Sequence, residues 1–259
     1  MHVIIPAAGY GTRLYPLTKN KPKALLTVAG KPLLYFSLKK IEKINEEFTG
    51  MVKKVVIVSN SVYFGVIKEW IEDNKSKINI KIVVLDDGTK TNEDRLGTIG
   101  DVVFVIKKEN INDDIMILNS DNVFDFSLNR IAGKFNEKKV PCIGLYDVKS
   151  LERASRYGIV KTDEKGVIKE FEEKPAKPKS TLASIGIYIY PKDSLKLIEQ
   201  FYNEKGTEAD KSGNLLEWLI GKKSICGVVF DTKWFDIGSK EELDAARKIF
   251  NTEDKVLGK

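Results

Sequence analysis

The sequence predicts an α/β protein: a mostly parallel central sheet flanked by helices, with a second half richer in strands. Short apolar runs alternate with amphipathic stretches of helical length through residues 1–122. A pair of glycines follows the first of these runs directly, at the strand end where open α/β sheets bind ligands. After residue 140 the texture changes, and strand-like runs follow one another with turn signals between them.

The elements follow in order. HVII (2–5) is a short apolar strand. Residues 31–44 place Leu34, Leu38 and Ile41 at helical spacing. Residues 52–60 form a strand, and residues 61–74 a helix with Ser61 as its N-cap. A strand over 78–87 leads to a helix over 98–110 with Thr98 at its cap. The apolar run of 114–122 is a strand buried on both faces. This order gives parallel strands joined by right-handed crossovers. A helix over 126–139 opens the second half. PCIGLYDV (141–148), a hairpin over 157–175 turning at DEKG, and ASIGIYIYP (183–191) are strands. Helices over 192–205 and 214–220, a strand over 224–231 and an amphipathic helix over 240–253 complete the reading. No linker-like boundary or internal repeat appears, and no hexapeptide array follows residue 240. One domain over 1–259 is expected, with halves 1–122 and 123–238 and a C-terminal segment 239–259.

The chain has 259 residues, 42% hydrophobic and 31% charged, enough to bury a core without staples. Cys142 and Cys226 lie in apolar runs and read as buried reduced thiols. No segment has the apolar length of a membrane span, and no leader pattern precedes the first strand, so a cytoplasmic protein is expected. The net charge of +6 is concentrated. Residues 1–54 hold ten basic against three acidic residues, and the remainder holds 33 against 34. Such a focus suits an anionic ligand. Interleaved aromatics, zinc-finger spacing and RNP patterns are missing, so a small polyphosphate fits better than nucleic acid.

The glycine loop is the strongest local signal. Gly9 and Gly11 do not complete G-x-G-x-x-G, and G-x-x-x-x-G-K-[ST] does not occur. Both glycines can nonetheless take φ > 0 and bring backbone N–H groups to an anion. Arg13 can fork onto phosphate oxygens, Pro16 and Pro22 stiffen the return, and Lys23 comes back before an apolar run. A lysine-rich surface loop is the plainer alternative.

AAGYGTRLYPLTKNKPKALLTVAGKPLL (7–34) resembles the signature of the sugar-phosphate nucleotidylyltransferases. Within that family it looks nearest to the glucose-1-phosphate thymidylyltransferases and related uridylyl- and cytidylyltransferases. The resemblance implies a Rossmann-like sheet of the nucleotide-diphospho-sugar transferase type, with a strand-rich sugar-binding half. It implies nucleotide binding by Ala8, Gly9, Gly11, Thr12 and Arg13, and catalysis by Arg13, Lys23 and Asp121.

Four further segments extend it. DRLGTIGDVVF (94–104) resembles the nucleobase-side loop, with Gly97 and Thr98 at the base; Ile99 and Asp101 do not choose among bases. ILNSDNVF (117–124) carries Asp121 and Asn122, with Ser120 where relatives commonly have glycine. Taken alone, Asp121 is equally a turn or cap aspartate. The block at 156–190 resembles the sugar side, implying sugar-phosphate contacts from Asn122, Tyr157, Gly158, Glu173, Lys174 and Gly186; taken alone, it is a charged hairpin. KWFDIGSKEEL (233–243) supplies Asp236, with Ser239 available to cap the next helix. The resemblance then implies Mg²⁺ held by Asp121 and Asp236, and NTP plus a sugar 1-phosphate as substrates. The first assignment is dTTP or UTP with glucose 1-phosphate; guanylyl or cytidylyl transfer to mannose 1-phosphate or another phosphorylated alcohol stays open. A homo-oligomer is a further expectation. A glycosyltransferase would carry Asp-x-Asp, and Asp121 and Asp125 are too far apart for it. A non-catalytic relative would be expected to lose some of Arg13, Lys23, Asp121 and Asp236.

Overall fold

A computed structural model describes residues 1–206, 210 and 212–251. The first half contains β1 (His2–Pro6), the short β2 (Thr27–Val28) and β3 (Lys31–Pro32), α1 (Leu33–Glu47), β4 (Lys54–Ser59), α2 (Phe64–Asn74), β5 (Ile82–Asp86), α3 (Gly97–Lys108) and β6 (Ile115–Leu118). There follow β7 (Asn122–Phe124), α4 (Asn129–Lys138), β8 (Cys142–Asp147), α5 (Leu151–Ala154), β9 (Gly158–Thr162), β10 (Ile168–Glu173) and β11 (Leu182–Tyr190). The remaining elements are α6 (Leu195–Lys205), α7 (Ser212–Leu219), β12 (Cys226–Phe230), β13 (Trp234–Asp236) and α8 (Lys240–Asn251). Residues 252–253 of the helix expected over 240–253 lie outside the described residues.

The strands β5, β4, β1 and β6 lie side by side in that order and are all parallel. The crossover order in the sequence therefore builds the sheet expected of it. Beyond β6 the direction changes. Strand β11 runs antiparallel to β6 and also pairs with β8 and β9. The β9–β10 hairpin turns at DEKG, where Asp163 Oδ1 accepts from the N–H groups of Lys165 and Val167. Strand β12 lies parallel to β8 with Cys226 opposite Cys142, and both thiols are free and buried.

Alternation along β1 explains the layering. Val3 and Ile5 face a core shared with Leu34, Leu38 and Ile41 of α1, Ile67 of α2 and Phe135 of α4. Ile4 faces the opposite core, with Ile99 and Val102 of α3, Ile198 of α6 and Leu216 of α7. Each such aliphatic side chain contributes about 1.5–3 kcal/mol on full burial. A third cluster packs Leu243, Ala246 and Phe250 of α8 onto Leu14, Leu26 and Val28 around the glycine loop.

Three local expectations are corrected. Ser61 does not cap α2: its hydroxyl donates to Asp86, and Asn60 Oδ1 takes the Tyr63 N–H at 3.0 Å instead. Thr98 does not cap α3 but lies in its first turn, because the helix begins at Gly97. The strand expected over 114–122 is broken. It leaves the main sheet after Leu118, where Ser120 donates to the Pro6 carbonyl at 2.7 Å. Residues 122–124 then form a separate ribbon with β13, pairing Asn122 with Asp236.

Candidate functional site

Two cavities open side by side at the C-terminal ends of β1 and β6. One, of about 440 Å³, is lined by the glycine loop, Lys23, Gly97, Thr98 and Asp101. The other, of about 470 Å³, is lined by Tyr157, Gly158, Glu173, Lys174, Gly186 and Asp236. Arg13, Thr98, Asn119 and Asp121 line both, forming a shared wall.

The glycine loop is held from behind. Gly11 is left-handed (φ 61°), and its carbonyl accepts from the Thr18 hydroxyl at 2.7 Å. A side chain there would press on Thr18 at 3.1 Å, so glycine suits both the angle and the space. Gly9 is not left-handed, and no atom lies within 4 Å of where its Cβ would be, so the expectation of φ > 0 holds for Gly11 alone. Asn60 donates to the Ala8 carbonyl at 2.7 Å, and Tyr63 donates to the Thr18 carbonyl at 2.6 Å. These bonds fix Ala8 through Thr12 while leaving Gly9, Thr12 and Arg13 exposed. Asn60, Tyr63 and Thr18 were not singled out in the sequence. Their contribution lies in contacts across 45 to 52 residues, which no local motif encodes.

Lys23 begins a single tight turn, Lys23–Leu25, whose Ala24 and Leu25 are buried. The turn aims Lys23 Nζ at Asp121 Oδ2, 2.7 Å away. Asp121 is joined to the β13 segment by its own carbonyl, which accepts from Ile237 N–H at 2.9 Å. The ribbon thereby sets Asp236 beside Asp121. Burial, then the Asp121 charge, pushes the Asp236 carboxyl from 3.8 up to about 7, with Lys23 and Arg13 opposing. Two crowded carboxylates are a donor set that a hard divalent cation would relieve. Among the described residues no group of three or more His, Cys, Asp or Glu side chains could hold a metal. A cation here would therefore take two carboxylates and complete its shell from ligand oxygens and water.

The second cavity gathers the expected sugar-side residues, with one difference in role. Asn122 is 2% exposed, and its amide is already engaged: Nδ2 donates to the Ile185 carbonyl and Oδ1 accepts from Trp234 Nε1, both at 2.9 Å. It joins the ribbon to β11. Lys174 is exposed, takes φ 47°, and its N–H donates to the Tyr157 carbonyl at 3.0 Å. Gly158 lies under the Phe171 ring and Glu173. Arg156 and Glu242, paired with each other, also line this cavity and were not singled out in the sequence.

Gly186 (φ 70°) sits where the β11–β8 register shifts, and a Cβ there would fall 2.6 Å from the Asn119 amide. Gly186→Ala is expected to cost about 2 kcal/mol or more, from the strained φ and the collision. Urea unfolding would read this as a lower midpoint at unchanged slope; an unchanged midpoint would contradict it.

Paired grooves at the sheet's C-terminal edge, with Arg13 and Asp121 on their common wall, define an α/β protein with two adjoining polar clefts where open sheets of this kind bind ligands. The chain belongs to the nucleotidyl transferase family, whose model matches residues 2–252. It is 31% identical over its whole length to the bifunctional protein GlmU of Methanococcus aeolicus, covering 57% of that protein. It is also 31% identical to D-glycero-alpha-D-manno-heptose 1-phosphate guanylyltransferase of Campylobacter jejuni, over 93% of this chain and 96% of that one. The fold matches UTP-bound UGPase from Acinetobacter baumannii with a TM-score of 0.78 at 20% identity, over 99% and 95% of the two chains. The chain thus spans a little over half the length of the GlmU relative. Among the described residues no helix is long and apolar enough to cross a membrane.

Proposed function

We propose that this chain catalyses nucleotidylyl transfer from an NTP to a sugar 1-phosphate, giving an NDP-sugar and pyrophosphate. The observation that carries this is the shared wall: Asp121 lines both the glycine-loop cavity and the polar one, and Lys23, on the glycine-loop side, stands 2.7 Å from it. A phosphate oxygen of the sugar phosphate forms a bond to the α-phosphorus, and the bond from that phosphorus to the bridging oxygen of pyrophosphate breaks. No protein nucleophile is required, so the protein's share is positioning and charge.

In this reading Ala8, Gly9, Gly11 and Thr12 present backbone to the triphosphate, and Arg13 neutralises the leaving pyrophosphate. Lys23 spans the α-phosphate and the sugar phosphate, offsetting their repulsion. Gly97 and Thr98 face the base, while Tyr157, Gly158, Glu173, Lys174 and Gly186 frame the sugar phosphate. Asn122 acts from behind, as a support. Asp121 and Asp236 would hold Mg²⁺, which when bound supplies charge neutralisation at the α-phosphate. A regulatory relative without chemistry is disfavoured because Arg13 and Asp121 line both cavities, with Lys23 in the glycine-loop cavity and Asp236 in the other.

Pyrophosphate release, measured across nucleotides and sugar phosphates, tests the reading. The pair suggested by sequence resemblance, dTTP or UTP with glucose 1-phosphate, is the starting point, with GTP, CTP and mannose 1-phosphate beside it. No release with any pair would overturn it. Activity is expected to vanish in EDTA and return with Mg²⁺; full turnover in a metal-free preparation would remove the two-aspartate site. Size-exclusion chromatography with light scattering would test the expected homo-oligomer.

A further inference from the structure

Two asparagines flank the register shift in β11, and the fold makes use of only one of the two amides. Asn122 has both ends of its amide engaged, by the Ile185 carbonyl and by Trp234 Nε1. Asn119, one residue past β6, has neither end engaged. Its backbone N–H donates to the Gly186 carbonyl at 2.9 Å, which fixes where the side chain starts. The amide then lies over Gly186: a Cβ there would fall 2.6 Å from Nδ2 and 2.8 Å from Cγ. Oδ1 is buried and receives no hydrogen bond, and Nδ2 reaches no acceptor among the described residues. Burial closes off Oδ1 and leaves Nδ2 as the open end of the amide. The residue is half-buried and lines both cavities, but Gly186, on which the amide rests, lines the second cavity and not the glycine-loop one.

The fold gains nothing from this side chain. A half-buried amide without partners is destabilising, and an apolar residue of similar volume would remove that penalty. The left-handed glycine and the register shift nevertheless keep room for it, as such shifts do where a side chain is re-aimed. The group that Nδ2 meets is uncharged. Lys23 and Lys174 offer cations for phosphate, whereas a carboxamide N–H is a neutral donor suited to a hydroxyl oxygen. We propose that Asn119 is a specificity-determining residue of the second cavity, donating through Nδ2 to a hydroxyl of the sugar ring. This rests on the nucleotidylyl-transfer reading for the identity of that ligand as a sugar phosphate.

Titration calorimetry with glucose 1-phosphate, mannose 1-phosphate, the monodeoxy analogues of both, and inorganic phosphate tests it. Mg²⁺ is present, and each titration is run alone and with the α,β-methylene analogues of UTP and GTP, which cannot release pyrophosphate. Asn119→Leu removes the donor at similar volume, and Asn119→Ala is measured beside it. Both variants should melt no lower than wild type, since no hydrogen bond of the fold is lost. The better-bound hexose phosphate should weaken by about tenfold in each variant, the scale of one hydrogen bond to a buried partner. Inorganic phosphate should change by less than about twofold, and one monodeoxy analogue should bind wild type and variants alike, which marks the hydroxyl that Asn119 meets. Unchanged hexose phosphate binding in a folded variant would overturn the proposal. So would an equal loss for inorganic phosphate or for every monodeoxy analogue, a lowered melting temperature without loss of binding, or a loss confined to the nucleotide, which would place the amide on ribose. Asn119-dependent sugar phosphate binding without pyrophosphate release from any pair would sink the transfer reading and leave Asn119 its role. Release with unchanged kcat and KM for the sugar phosphate in Asn119→Leu would do the reverse, and no sugar phosphate binding by wild type would overturn both.

Discussion

Lys23→Ala is expected to lower kcat/KM for pyrophosphate release by on the order of 10²- to 10³-fold, as removal of one preorganised charge contact commonly does. The fold should survive. Ala24 and Leu25 anchor the turn that carries Lys23, and the amine itself contributes a partly exposed ion pair. The loss arises beside the shared wall, on its glycine-loop side. Without the ammonium, two phosphate groups must approach each other against their mutual repulsion, and Asp121 loses the cation 2.7 Å away. Lys23→Arg should recover only part of the rate, since a planar fork does not replace a compact point charge. Steady-state pyrophosphate release, with thermal unfolding alongside, would check this. Wild-type turnover in Lys23→Ala would remove the role assigned to the lysine.

Asp236→Asn is expected to separate stability from activity. The folded chain holds the Asp236 carboxyl at about 7, against 3.8 ordinarily. Between those values the folded state keeps a proton that the unfolded chain has already released. Metal-free stability therefore falls as pH rises through that window, and the loss is complete above it. Asparagine carries no charge to desolvate. In EDTA near pH 8 the variant should melt higher, by about 2–4 °C for each kcal/mol relieved. The difference should shrink as pH falls toward and below 3.8, where the unfolded chain takes up its proton too. With Mg²⁺ restored, turnover should fall by on the order of 10²-fold, because half of the proposed carboxylate pair is gone. Calorimetric scans at both pH values would check the first part. An Asp236→Asn chain that gains nothing at high pH would remove the electrostatic strain assigned to the pair.

The glycine-loop half of the candidate site was legible because its residues sit in one short motif. Gly11, Arg13 and Lys23 are local to one excursion between β1 and α1, and all three line the glycine-loop cavity. The parallel order of β1, β4, β5 and β6 was legible for a similar reason: each strand is a compact apolar run separated by a helix. Other features depended on contacts that the sequence does not order. The apolar run of 114–122 looked continuous, yet Ser120 bonds Pro6 and the chain turns toward β13, more than 100 residues later. Asn122 carried a sugar-side motif, but Ile185 and Trp234 already engage its amide. Asn60 supports Ala8 from α2's entry, and spacing says nothing of such a brace.

The packing of α8 onto the flanks of the glycine loop has a consequence for synthesis. Leu14, Leu26 and Val28 emerge from the ribosome early, but Leu243, Ala246 and Phe250 must follow before that cluster is covered. The flank of the glycine loop is thus covered only after α8 has emerged, well after the parallel strands. A nascent chain can build the parallel strands while its glycine loop still lacks this cover.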